Sequence, residues 1–500
     1  MRQAAEQAWH DREMEKCNEL LERASRLAPA DVGLLLQLGR IYGIRYNYAA
    51  AEDCFEKAIR LTPKKAEVLS AVALQSRDFY DTRLTERYAR RALSEKDATP
   101  DALAKLAETL ERLRRTEEAG NLVDRALQQD PHQPLALLVL ARLAQQGKQL
   151  EKAEEILRSG LAKAPDEIKV KMYYELAAIL DRQKRHDEAM SALLEAKAFL
   201  RRTSAPFFEH WQRSRKHAAQ MREQLSAELF QQWSASADQL QPHHRLAFLC
   251  GHPRSGTTLL EQVLDSHSEI VSAEETTHFN DYVYAPLQRR HPKGAPIVQV
   301  LSQTPPEVLR SVRSDYFRAS ELCLGKDFRN EILIDKNPSL TLLIPPVARV
   351  FPEARFLIAL RDPRDVCLSC FMQPFVPIQQ VSSAYLSLET TADEYVALMS
   401  MWKTVAPLMK NPFLEVRYED MVEDLEPVAR RALEFLGVNW DERVLGFDTH
   451  ARGKVVRSPT YADVTQKVFK RARGRWLNYQ KYLEPHLSKL EPFVKTLGYE

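Results

Sequence analysis

Cysteine is scarce in this chain, six in 500 residues, which argues against the disulfide framework that staples small secreted domains. Cys367 and Cys370 form a C-x-x-C, but no second pair at matching spacing completes a metal site. The pair reads as two small apolar residues on one helical face. Long apolar runs are missing as well: none reaches bilayer-spanning length, and the start MRQAAEQAWHDREMEK has no apolar signal core. The expectation is a cytoplasmic protein with no membrane partner. Excess charge of one sign is also absent, with a net charge of +2, so nothing calls for nucleic acid. One local cluster departs from that balance, Lys467, Lys470, Arg471, Arg473 and Arg475.

What is present describes an ordinary globular chain, 44% hydrophobic and 28% charged, long enough for more than one core. Pro29, Pro63, Pro131 and Pro165 are spaced by 34, 68 and 34 residues, the period of the tetratricopeptide repeat. The best copy has Leu35, Leu38-Gly39, Tyr42, Ala51, Phe55, Ala58 and Pro63. Its small residues let paired helices approach, and Tyr42 and Phe55 fill the space between pairs. Further copies carry Leu103, Leu106-Ala107 and Ala126, then Leu137, Leu140-Ala141 and Ala153, then Leu176-Ala177 and Ala189; a weaker one has Leu69, Ala73 and Ala89. The first unit reads as truncated, keeping Leu21, Ala24 and Pro29. About five to six units share a continuous core and offer a concave surface to a polypeptide.

Near residue 245 the pattern changes. Leu246-Ala-Phe-Leu-Cys250 is a short apolar run suited to a buried parallel strand. It leads into Gly251-His-Pro-Arg-Ser-Gly256-Thr257-Thr258 and a helical pattern. Strand, glycine-bearing loop and helix start make an anion cradle. The spacing nearly fits the triphosphate loop G-x-x-x-x-G-K-[ST], but Thr257 stands where its lysine belongs and the positive charge sits at Arg254. No convincing strand-borne acid for magnesium is apparent, which leaves a kinase or ATPase as the second reading.

The segment PRSGTT, with three further blocks in order, resembles the sulfotransferase family, and within it the tyrosylprotein sulfotransferases and the bacterial repeat-bearing sulfotransferases. The resemblance covers about residues 245–500 and, in the bacterial group, the array. It implies that Arg254, Ser255, Gly256, Thr257 and Thr258 bind the 5′-phosphosulfate of 3′-phosphoadenosine 5′-phosphosulfate (PAPS), the co-substrate, with no metal. In Ser272-Ala-Glu-Glu-Thr276 the second glutamate, Glu275, is the implied catalytic base. A carboxylate desolvated beside a phosphate site suits proton abstraction from a hydroxyl. His252 and His278 are rival bases, since a histidine serves in the cytosolic branch. Lys336, ending the strand-like Ile332-Leu-Ile-Asp335, is implied to neutralise the leaving phosphate. Arg361, ending Arg355–Leu360, and Ser369 are implied to hold the 3′-phosphate. Arg364 either shares that role or braces the loop through Asp362. Tyr418, in R-Y-E-D, lies near the adenine or packs on the sheet. Thr460 takes a hydroxyl position with a catalytic part, and Gly474-Arg475-Trp476 closes the site; Lys467 replaces the usual proline, which leaves the loop path open.

The expected architecture is multidomain: an all-α tetratricopeptide solenoid over 1–200, a helical joiner over 201–243, and a three-layer, P-loop-like α/β domain with a parallel sheet over 244–500. Its strands are expected near 246–250, 332–335, 355–360 and 413–417. The expected reaction is sulfuryl transfer to a hydroxyl, with a protein or peptide tyrosine favoured; a saccharide or small-molecule acceptor, and a non-catalytic repeat scaffold, stay open. The partner is a polypeptide acceptor or a protein bound through the repeats, and a dimer is open.

Overall fold

A computed structural model describes the chain except residues 11–13, 79–81, 96–97, 203, 241–243, 293, 376–380 and 453–471. The chain divides into two compact units, Met1–Phe199 and Leu200–Glu500. Among the described residues, helices of the first unit come as six consecutive pairs. The first pair, Arg2–His10 and Met14–Leu27, has both helices, so the unit read as truncated is only shorter.

The pair Val32–Ile44 and Tyr48–Leu61 shows why the period exists. Asp31 and Asn47 cap the two helices, accepting from the amides of Leu34 and Ala50. Ala51, Phe55 and Ala58 of the second helix are fully buried. Among the described residues, four intra-repeat turns each use one residue in the left-handed region at the same place: Tyr46, Arg114, Lys148 and Lys184, all with φ of 60–62°. Ion pairs also recur at the repeat period: Arg142 lies between Glu108 and Glu175, at 3.5 and 2.6 Å, and Lys171 reaches Glu108 at 2.9 Å.

In the second unit five parallel strands form one sheet: β1 (Arg245–Gly251), β2 (Ile270–Glu274), β3 (Ile332–Lys336), β4 (Arg355–Leu360) and β5 (Phe413–Arg417), in the order β2-β3-β1-β4-β5. The four strand positions expected from sequence are present; β2, ending at the Glu274-Glu275 block, was not anticipated. Alternation sends Ala247 and Leu249 to one face, packed on Leu260, Val263 and Leu264 of the helix Thr257–Asp265. Phe248 faces the other way, into an aromatic layer with Phe279, Tyr316, Phe351 and Phe356. Three layers result, as expected.

Residues 201–243, read as a joiner, contribute helices Ala205–Glu223 and Ala227–Ala235 that belong to the second unit. Trp211 is buried there and donates its indole N–H to Glu394 at 2.6 Å. Among the described residues no helix is long and apolar enough to cross a membrane.

Gly39 tests the repeat packing. A Cβ built there would lie 2.4 Å from the buried Phe55 ring. Gly39→Ala improves helix propensity by about 1 kcal/mol yet is expected to destabilise the array by about 1–3 kcal/mol overall. Urea unfolding followed by far-ultraviolet dichroism checks this, and in a Phe55→Leu background the penalty should shrink.

Candidate functional site

The strand order sets the location. The chain leaves β1 toward the β3/β2 side of the sheet and leaves β4 toward β5, so the loops after these neighbours diverge at their carboxyl ends. A crevice at such a switch point is where open α/β sheets take ligands.

The loop after β1 depends on close backbone approach at two glycines. Gly251 has φ +135°, and a Cβ there would meet the Ala359 carbonyl at 2.4 Å. Gly256 has φ +97°, and a Cβ there would meet the Tyr418 ring at 2.7 Å. Thr341 fixes the loop entrance, accepting from the Gly251 amide at 2.8 Å. Ser255 Oγ donates back to the His252 carbonyl at 2.7 Å. Thr257 and Thr258 open the helix, whose N-terminus has no side-chain cap, leaving first-turn amides for an anion.

The loop after β4 supplies the cations. Arg361 is buried and donates through Nη1 to the Arg254 carbonyl at 3.1 Å and through Nη2 to the Ala472 carbonyl. Its Nε is buried without a partner among the described residues, and its guanidinium lies 4.7 Å from the Tyr418 ring centroid. Arg254 Nε donates to Ser369 Oγ at 3.1 Å. Arg254, Arg361, Ser369 and Tyr418 are therefore brought together from three segments: the loop after β1, the end of β4 with its following helix, and the helix after β5. Arg364 braces the turn, donating to both Asp362 oxygens at 2.9 and 2.8 Å. Asp365 accepts from the Gly474 and Trp476 amides at 2.7 and 2.9 Å, tying G-R-W to this side. The glycine cradle, the uncapped helix start and the unpartnered Arg361 Nε suit phosphate groups.

On the other side of β1, β3 ends at Lys336, whose side chain is wholly buried. Its Nζ donates to Glu275 Oε1 at 2.7 Å, and the Glu275 amide donates to the Lys336 carbonyl at 2.8 Å. Making both contacts puts Glu275 at φ +40°, while Arg254 sits at φ +71°. Non-glycine residues held there store strain, a pattern that clusters at functional sites.

A third ionisable group was missed by sequence reasoning. Glu261, fully buried in the helix after the loop, places Oε2 3.2 Å from Lys336 Nζ. Burial pushes its carboxyl up to about 8, with Lys336 and the Ser272 hydroxyl opposing and Glu274 and Asp265 reinforcing. Lys336 is held above its ordinary range: burial disfavours its charge, but Glu261, Glu275 and Glu274 outweigh that. The available signal was the apolar spacing of LLEQVLD, which puts Glu261 on the sheet-facing side.

The rival histidines are packed residues. His252 is buried, with Nδ1 2.8 Å from the Pro253 carbonyl, and burial pushes it down to about 4. His278 is buried with Nδ1 3.2 Å from Ser320 Oγ. Cys367 and Cys370 are buried free thiols. Thr460 and Lys467 lie outside the described residues. A cavity of about 600 Å³ lined by Trp211, Arg215, Asp393 and Met401 shares no residue with this site.

Residues 247–442 match the sulfotransferase family, and residues 32–65, 113–173 and 170–198 match the tetratricopeptide repeat. An uncharacterized protein of Aquifex aeolicus is 23% identical over 404 residues, 79% of this chain and 51% of its own length. This chain thus spans about half the length of that relative. Protein-tyrosine sulfotransferase A of Caenorhabditis elegans is 28% identical over 267 residues, 51% of this chain and 67% of its own. The solved sulfotransferase domain of the Synechococcus PCC 7002 olefin synthase is 21% identical with a TM-score of 0.33, covering 51% of this chain and 97% of that domain.

Asp335, next to Lys336, gives a measurable pH effect. Burial pushes its carboxyl up to about 7, against the Tyr316 hydroxyl, which donates to it at 2.8 Å, and Lys336. The folded state keeps a proton that the unfolded chain loses near pH 4, so stability falls as pH rises from about 4 to about 7. Calorimetric melting should therefore show a smaller loss between about pH 5 and pH 8 in Asp335→Asn than in the native chain, with the two melting temperatures closest near pH 5.

Proposed function

We propose that this chain, whose residues 247–442 match the sulfotransferase family and whose earlier residues match the tetratricopeptide repeat, moves a sulfuryl group from PAPS to an acceptor hydroxyl, favouring a tyrosine in a protein or peptide. The observation that carries the reading is the anion cradle after β1 standing beside the Lys336–Glu275 pair on the neighbouring strand end. The names of relatives such as the Caenorhabditis elegans protein support tyrosine as acceptor.

PAPS supplies the sulfuryl group and a leaving adenosine 3′,5′-bisphosphate. Arg254, Ser255, Gly256, Thr257 and Thr258 hold its 5′ end through loop and helix-start amides and the Arg254 charge. Arg361 and Ser369 take the 3′-phosphate, with Tyr418 stacked against the Arg361 guanidinium. Glu275 accepts the acceptor's proton as its oxygen bonds to sulfur. The bond from sulfur to the bridging oxygen breaks, its electron pair staying on the phosphate, where Lys336 offsets the charge. The direct contact between Glu275 and Lys336 favours Glu275 over His252, whose ring is buried against Tyr385 and Tyr395. Thr460 is assigned a catalytic part through its hydroxyl. The repeats bind the polypeptide acceptor, holding remote parts of it while the hydroxyl reaches Glu275.

Two measurements test the reading. Adenosine 3′,5′-bisphosphate should bind much more tightly than ADP or ATP in titration calorimetry, and Arg361→Ala should cost it about 2–4 kcal/mol. Equal affinity for ATP overturns the assignment. Glu275→Gln should leave bisphosphate affinity nearly unchanged while slowing sulfuryl transfer by about 10²–10⁴-fold. An active Glu275→Gln beside an inactive His252→Ala or His278→Ala makes a histidine the base.

A further inference from the structure

Lys336 has two carboxylate neighbours, and the reaction as proposed uses only one. Glu275 is partly exposed and within reach of an acceptor, whereas Glu261 has no exposed surface and no route to one. Glu261 is also unevenly satisfied. Its Oε1 accepts from the Ser272 hydroxyl, while its Oε2 stands 3.2 Å from the Lys336 ammonium without an aligned hydrogen bond and has no other partner among the described residues. A buried carboxylate oxygen in that position is a place for a proton.

The groups facing Glu261 from the packed elements are Lys336 from β3, Ser272 and Glu274 from β2, and Glu275 just beyond. Asp265 lies one turn on in its own helix and contacts His450 at 2.7 Å. Glu274 is held by the Gln262 amide at 3.2 Å. Lys336 is the cation of this set that touches Glu261, so any further negative charge brought to Lys336 competes with Glu261 for it. Resting on the reading that a nucleotide phosphate binds beside Lys336, we propose that Glu261 is a positioning residue. When ionised it is a counter-charge to Lys336 in the free protein, and it yields that place to phosphate by taking up a proton when nucleotide binds.

The sign follows from linkage. Phosphate raises the proton affinity of Glu261, so binding takes up a proton, and affinity falls as pH rises past the point where Glu261 ionises in the free protein. That point is about 8, and the 5′-phosphate is already dianionic there, so it supplies no competing proton. The test is titration of the full chain with adenosine 3′,5′-bisphosphate from about pH 7 to pH 9.5, at each pH in two buffers of different ionisation heat. The native chain should lose about tenfold in affinity across that range and take up a fraction of a proton near pH 8. Glu261→Gln, which keeps the shape and the Ser272 contact, should show a flat profile, no uptake and tighter binding than native at the alkaline end. A flat native profile overturns the proposal, as does a Glu261→Gln profile that keeps the native slope, which would assign the proton to Glu274 or Glu275. If Glu261→Gln fails to fold, Ser272→Ala serves: removing a hydroxyl that favours the ionised carboxylate should move the fall to higher pH, and an unmoved fall refutes the idea. Bisphosphate that binds neither chain at any pH removes the parent reading, a result distinct from binding without pH dependence.

Discussion

A lysine ammonium with no water around it has to be given counter-charge by the protein, and Lys336 places that demand at the end of a central strand. Much of the local geometry answers it. Glu261 reaches it from the helix that follows the glycine loop, and Glu275 from the turn after β2. Glu275 meets both ends of the same residue, its amide on the Lys336 carbonyl and its carboxylate on the ammonium. An extended backbone would carry the carboxylate away from that pair; the left-handed turn at Glu275 brings it back. The strain at Glu275 and the burial of Lys336 are two aspects of one arrangement.

The opposite side of β1 solves a different problem. There the positive groups are arginines, whose planar forks can donate to backbone carbonyls and still leave a nitrogen over. Arg361 does this, with Nη1 and Nη2 donating to loop carbonyls and Nε buried with no partner among the described residues. Its position relative to the loop depends on Gly251 and Gly256, where the backbone runs against Ala359 and Tyr418 too closely for any side chain. Lysine beside carboxylates and arginine beside carbonyls thus flank one strand: the first is suited to a charge that changes during reaction, the second to one that stays fixed.

Three of the four blocks were legible in the sequence because each sits where an apolar strand gives way to polar residues, and parallel strands place all such ends at one edge; the Glu274-Glu275 block was read from the resemblance, without its strand β2. Arg254, Glu275, Lys336 and Arg361 fall there together. Glu261 was not legible in the same way. It lies inside an apolar helical run, and its meaning depends on the register that sets Glu274 and Leu249 opposite Lys336. Spacing along the chain carries no trace of that register. The polar stretch from 205 to 223 misled for a related reason. Composition marks it as exposed, yet two anchors decide its place: Trp211, bonded to Glu394, and Met221, both buried.

The repeats were legible for the opposite reason. One packing problem, a pair of helices closing on small residues, recurs along the array, and repetition turns a tertiary contact into a sequence period. Even the polar contacts acquire the period: Glu108, Arg142 and Glu175 are spaced by 34 and 33 residues and form a single ladder. The charged centre around Lys336 occurs once and has no period to reveal it. Its ion pairs resemble those of the ladder in distance but differ in surroundings. Arg142 and Glu175 keep part of their surface in water, which tolerates either charge state of a neighbour. Lys336 and Glu261 keep none, so a charge added or removed nearby must be met by a proton or by movement. That difference in solvation, more than the count of ion pairs, separates a group that holds a fold together from one able to respond to a ligand.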